Sequence, residues 1–221
     1  MRLFFIDGHN KEPRDWMRRG RPRNFDREVA LRRAMEVFWA KGYEGAQLTE
    51  LTAAMGINAP SFYAAFGSKE AAFREALELY ERTMDSGWLK AFGDELDTRS
   101  SIRALLDYNI DVALGAPGPG GCMIFMGMIN ATPGNEPLRD LLRSRRQEGR
   151  RLVQGRLERG VREGDLPSTT NVARLATFYH AILQAISVQA RDGATREELE
   201  EIAASAMMAM PEPRCVKPRQ L

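Results

Sequence analysis

The residues best suited to touching another molecule crowd into one short stretch, GINAPSFYAAFGSKEAAF, from Gly56 to Phe73. Asn58 can cap a helix through its side-chain oxygen. Pro60 then falls in the first turn, where a missing N–H costs little. Ser61 carries a hydroxyl that donates or accepts, and Tyr63 a phenol long enough to reach a phosphate. Lys69 opens a further helix, where its ammonium and the positive helix end both favour an anion. Phe62 and Phe66, four apart, share the opposite face and can anchor the helix on its neighbours. This is the chemistry of contact, not of bond breaking. The chain has no nucleophile elbow, phosphate loop or metal-ligand spacing, and its two histidines are far apart in sequence. No enzyme, metal or cofactor is expected.

The elements that must present these residues read as helices throughout. Asp26 can cap a helix running to about Lys41, with Ala30, Ala34, Val37 and Phe38 on one face and Leu31 and Met35 widening the stripe. Gly42 suits its C-terminal end. A short helix fits Leu48 to Met55 and stops at Gly56. Another fits Ala59 to Ala65, and a long one starts near Ser68. Further helical segments are expected at about 99–114, 121–131, 137–164, 169–191 and 195–209, broken by GAPGPGG and TPGNEP. Thr195 with Glu198 makes a capping box. No sustained alternation argues for strands, so the fold class is all-α. Two short helices joined by a glycine turn make a helix-turn-helix, whose second helix can enter a DNA major groove. The same spacing also suits a helical core that Gly56 and Pro60 merely punctuate.

Composition fits a globular chain of 221 residues, with 43% hydrophobic and 28% charged residues. The net charge of +2 does not by itself point to nucleic acid, but RRGRPR, Arg18 to Arg23, concentrates four arginines without an acid. Residues 1–24 read as a mobile basic arm. Its Arg-Gly-Arg-Pro core resembles the minor-groove clamp of AT-hook segments, which directs Arg19, Arg21 and Arg23 to DNA. Two cysteines are too few for a disulfide framework, the N-terminal LFFI patch is too short for a signal peptide, and no apolar run approaches a membrane span. A cytoplasmic protein is expected.

Residues 24 to 73 resemble the N-terminal domain of TetR-family transcriptional regulators. The likeness is carried by FWAKGYEG, LTELTAAMGI and SFYAAFGSKEAAF, with Tyr63, Phe66, Lys69 and Glu70 in the family's spacing. The resemblance implies a three-helix helix-turn-helix domain followed by a larger helical domain for effector binding and dimerisation. The boundaries are then a basic arm at 1–24, the DNA-binding domain at 25–70, the effector domain at 71–211 and a disordered tail at 212–221. By motif position, Thr49, Asn58, Ala59, Pro60, Ser61, Tyr63 and Lys69 are the DNA contacts. The sequence departs from the family pattern at Gln47, where Ser or Thr is usual, and at Ala59–Pro60, where a basic residue and a glycine are common. The implied function is repression at a palindromic operator in double-stranded DNA, relieved by a small-molecule effector. An activator of the same fold is the alternative.

In the larger half, ARLATFYHAILQAISVQA is apolar nearly all round, and EELEEIAASAMMAM carries one apolar face. They look like the paired helices of the family's homodimer interface. Met123 and Met126 beside Cys122, with aromatic walls from Phe92, Tyr108, Phe178 and Tyr179, are the expected effector-binding set; His180 and Gln184 supply polar groups. Met and aromatic stripes are equally the material of an ordinary core. Cys122 follows two glycines at an expected helix start, a position that can lower a thiol pKa, so a redox- or electrophile-sensing repressor is a further alternative.

Overall fold

The computed structural model describes residues 25–91, 97–115, 118–128 and 131–212. Among these the chain is all-helical, in nine α-helices: α1 Arg27–Gly45, α2 Leu48–Met55, α3 Ala59–Phe66, α4 Lys69–Ala91, α5 Thr98–Leu114, α6 Met123–Met126, α7 Glu136–Glu163, α8 Val172–Arg191 and α9 Arg196–Met207. No helix among the described residues is long and apolar enough to cross a membrane. The arginines Arg19, Arg21 and Arg23, and Phe92, lie outside the described residues.

Local chemistry accounts for most of the boundaries. Asp26 accepts the Glu28 and Val29 N–H groups at 2.9 and 3.2 Å and opens α1. Gln47 stands at the N-cap of α2, where the Glu50 carboxylate accepts its backbone N–H at 3.2 Å, so the acid helps to open a helix that lacks the usual hydroxyl. Asn58 accepts the Ser61 N–H at 2.9 Å and Pro60 occupies the first turn of α3. Thr195 and Glu198 form the expected capping box of α9.

Two regions differ most from the sequence reading, and α8 also begins at Val172, behind the Asn171 cap, rather than near 169. Gly42 interrupts α1 at φ 69°, as its type allows, but helical turns resume through Gly45, and Tyr43 is buried as a result. The helix expected over 121–131 is a single turn, Met123–Met126. Its flanking carbonyls, at Gly121 and Gly127, leave the helical pattern to accept hydrogen bonds from Trp39 and Tyr43 of α1.

The apolar side chains form two cores. The first gathers α1, α2, α3 and the first half of α4 around Phe38, Phe62, Phe66 and Phe73, and extends to Met123, Met128, Leu138 and Leu142. Phe73 meets Phe38 and Tyr43 edge-on, at centroid distances of 5.1 and 5.3 Å. The second gathers α5, the later part of α7, α8 and α9 around Leu105, Leu106, Leu157, Tyr179 and Leu183. Helix α4 contacts both α1 and α5, and so runs from the first core to the second.

A polar lock closes the second core at one end. Arg156 of α7 is buried and donates to Ser101 at 2.9 Å and to Thr98 at 2.8 Å. Asp165 accepts both the backbone N–H and the hydroxyl of Thr98, at 2.8 and 2.9 Å. The approach is so close that a Cβ on Gly160 would lie 2.0 Å from the Thr98 hydroxyl oxygen. Thr98 cannot simply rotate away, because its hydroxyl is already committed on two sides. Gly160→Ala therefore destabilises the fold by about 1–3 kcal/mol, the cost of overpacking a tight contact. A lowered midpoint in chemical denaturation, at fixed protein concentration, checks this.

Candidate nucleic-acid interface and cavity

Helix α3 is fastened from behind and left open in front. Phe62 and Phe66 are buried beneath it. Arg27 of α1 lies over the Phe66 ring at 4.5 Å, donates to the Ala65 carbonyl at 3.2 Å and pairs with Glu75 of α4 at 2.7 Å. One guanidinium thus joins α1, the end of α3 and α4. Sequence reasoning passed over it, although Arg27 directly follows the Asp26 cap. The open side carries Thr49, Asn58, Pro60 and Tyr63, all exposed, with Ala59 and Ser61 half-buried. Gly56 to Gly67 contains no acidic residue that would repel a phosphate.

Lys69 stands at the first position of α4, and its ammonium lies 4.4 Å from the centre of the Tyr43 ring. Burial lowers its pKa, and the Glu44 carboxylate opposes that shift. Glu44 is itself held low mainly by the Thr132 backbone N–H, which it accepts at 2.8 Å. The lysine is thus pre-positioned at the helix end, on an aromatic face, at the border of the same surface.

A cavity of about 370 Å³ lies between α4, α5, α6, α7 and α8. Of the residues expected to form an effector site, Tyr108, Cys122 and His180 line it. Gln184 stands behind His180, its amide nitrogen 3.1 Å from Nδ1. Met123, Met126, Tyr179 and Phe178 go elsewhere. Met123 is fully buried in the first core, and Met126 packs towards Gly121. Tyr179 is buried between α8 and α9 and donates its hydroxyl to the Ala206 carbonyl at 3.3 Å. Phe178 faces outward, in a shallow depression with Ile182 and Ile202. Helical spacing alone could not divide Phe178, Tyr179 and His180 among surface, core and cavity.

The cavity wall also contains residues that sequence reasoning did not single out: Tyr80, Asn109, Phe125, Arg145, Arg146 and Leu152. A signal for part of it existed. Arg145, Gly149 and Leu152 recur at one face of α7, where a glycine and a leucine interrupt an arginine-rich helix. Burial pushes the Tyr80 hydroxyl well above its ordinary pKa and lowers that of His180. It also raises the Cys122 thiol, outweighing the neighbouring Tyr80 hydroxyl and the α6 backbone, which act in the other direction. The lowering expected from a helix start is thereby reversed, because α6 is only four residues long and desolvation disfavours the thiolate. Among the described residues no group of three His, Cys, Asp or Glu side chains is placed to hold a metal.

The segment that lines the cavity also docks on α1. Cys122, Ile124 and Phe125 face the cavity. On its other side the Gly121 carbonyl accepts the Trp39 indole N–H at 2.9 Å, and the Gly127 carbonyl accepts the Tyr43 N–H at 2.8 Å. Arg191 at the end of α8 donates to the carbonyls of Gly120, Trp39 and Ala40, at 3.1, 2.9 and 2.7 Å.

Two family models match the chain. Residues 30–76 match the model of bacterial regulatory proteins of the tetR family, and residues 99–207 the tetracyclin repressor-like C-terminal domain. The HTH-type transcriptional repressor ComR of Escherichia coli K12 is 35% identical over 198 residues, 88% of this chain and 93% of that protein. The repressor BdcR of the same organism is 26% identical over 190 residues, 86% of this chain and 90% of that protein. Among solved structures, a cysteine mutant of the TetR-family regulator CifR, complexed with 26-base-pair operator DNA, is 42% identical and superposes with a TM-score of 0.82. That match covers 86% of this chain and all of that one.

The raised thiol pKa has a direct consequence. In a Cys215→Ser chain, Cys122 is alkylated by iodoacetamide more slowly at neutral pH than a free cysteine, because less of it is thiolate. The rate climbs only as pH passes above the ordinary thiol range, about 8.5. A midpoint below that range would contradict the buried environment.

Proposed function

This chain belongs to the TetR family of bacterial transcriptional regulators, and from that premise we propose that it is a cytoplasmic, homodimeric repressor released from a palindromic operator by a small molecule. The observation that carries the reading is the presentation of α3. It is a short, acid-free helix, clamped from behind by Phe62, Phe66 and Arg27, with Asn58, Pro60 and Tyr63 left exposed. A helix held this way can enter a major groove without giving up its own packing. Ser61 and Tyr63 would then reach bases or phosphates, and Lys69 a phosphate at the α4 end. Thr49 on α2, with Asn58, Ala59 and Pro60, completes the proposed surface. Arg19, Arg21 and Arg23 would add minor-groove and backbone contacts from the arm.

The dimer is supported by α8 and α9. Their outer faces expose Phe178 and Val188 with small residues such as Ala181 and Ala204, and Met208, just past the end of α9, is 84% exposed. Packing them against the same faces of a second copy removes this apolar surface from water and places two α3 helices on one duplex. Half-sites one helical turn apart require the heads to stand about 34–36 Å apart. A ligand in the cavity presses on Cys122, Ile124 and Phe125, and the same segment holds α1 through Gly121 and Gly127. Ligand binding would thus favour head positions that no longer match the two grooves.

Mobility shifts against a duplex selected from a random-sequence pool test the reading. Tyr63→Ala and Ser61→Ala are expected to weaken binding about tenfold or more without lowering the melting temperature. Unchanged affinity in both would overturn the assignment of α3. Replacing Arg21 and Arg23 together with alanine should reduce the slope of log affinity against log salt by about 2, one for each phosphate left without its arginine.

A further inference from the structure

The cavity has a chemical bias that its proposed role as an effector site does not by itself specify. Two carboxylates and two guanidiniums stand on its wall: Glu81, Glu148, Arg145 and Arg146. Both acids are taken up by Arg145, with Glu81 at 2.8 Å and Glu148 at 3.8 Å. Arg146 pairs with no carboxylate among the described residues. It is half-buried, donates to the Ile124 carbonyl at 2.9 Å, and feels the Arg143 charge close by. A guanidinium so placed has given up part of its hydration without gaining a counter-charge.

Two buried polar groups add to this. His180 is 8% exposed, and its Nε2 lies near the Arg146 carbonyl without a hydrogen bond of full geometry. Gln184 donates to Nδ1, which leaves the ring proton on Nε2 as a donor. Tyr80 is 1% exposed, and its hydroxyl sits beside the Cys122 thiol and the Met123 N–H without a hydrogen bond of full geometry. Its high pKa keeps it a neutral O–H donor. Val112, Ile124, Phe125 and Leu152 give the wall its apolar part. Asn109, 5% exposed with its Oδ1 unpartnered, is the acceptor on the α5 side.

We propose that this cavity takes an amphipathic carboxylate, with its anionic head on Arg146 and His180 and its apolar body against Val112, Phe125 and Leu152. The proposal rests on the cavity being the effector site. A carboxylate supplies the missing counter-charge and accepts from His180 Nε2 and the Tyr80 hydroxyl, which an alcohol or hydrocarbon cannot do as fully. Asn109 would favour a body that also carries a donor, such as a hydroxyl.

The test uses the full chain and three matched pairs: octanoate, decanoate and phenylbutanoate, each against its own alcohol. Calorimetric titration at neutral pH is expected to show at least one carboxylate binding about tenfold tighter than its alcohol. Arg146→Gln should abolish that preference, and Arg146→Lys should retain part of it, which separates removal of the charge from misfolding. Equal or tighter binding of the alcohols, a preference that survives Arg146→Gln, or no carboxylate binding below about 1 mM would overturn the proposal. The same compounds are added to the mobility shift. Carboxylates that bind without releasing DNA would sink the effector role and leave the ligand class standing. Release by the alcohols alone would do the reverse.

Discussion

The structure turns on a main-chain seam between α1 and the Gly120–Gly127 segment. Trp39 buries its indole N–H, which must find an acceptor, and the Gly121 carbonyl supplies it. Tyr43 is drawn to the same seam by its own N–H and the Gly127 carbonyl. Backbone groups can meet this closely only where side chains are absent. A Cβ on Gly42 would lie 3.1 Å from the Gly127 carbonyl oxygen, and one on Gly121 would lie 2.7 Å from that of Ser187. Arg191 then fastens the end of α8 to both sides of the seam. The segment is one turn of helix between glycines, with the cavity on one side and α1 on the other.

The same constraint explains the division of labour in the first core. Phe38, Tyr43 and Phe73 pack around the seam, while Phe62 and Phe66 carry α3 on the opposite side. The head is therefore rigid behind its outward edge. On that edge Pro60 and Tyr63 stand exposed, while Asn58 spends its side-chain oxygen on the Ser61 N–H. Lys69 shows how tightly the two roles meet, since its charge rests on Tyr43, a residue that also belongs to the seam.

The helix-turn-helix was largely legible in the sequence, because short-range rules govern it. Asn58, Pro60, Gly56 and Gly67 act within three or four residues of themselves, and the burial of Phe62 and Phe66 follows from helical period. The cavity was legible only in part. Tyr108, Cys122 and His180 reach it, but Met123 and Tyr179 are absorbed by the two cores and Phe178 turns to the outer face. The α6 region misled for the same reason: MIFMGMINA has helical composition, yet its Gly127 carbonyl goes to the Tyr43 N–H of α1.

Sequence by itself determined the all-helical class, the caps and the reading helix, since propensity, capping and amphipathic period are local properties of the chain. Tertiary structure alone decided which carboxylates go to Arg145 and, among the described residues, leave Arg146 without one. It also decided that the Cys122 thiol is raised and that Arg27 bridges three helices. Those outcomes depend on desolvation and on partners distant in sequence, and pattern along a chain carries no record of either.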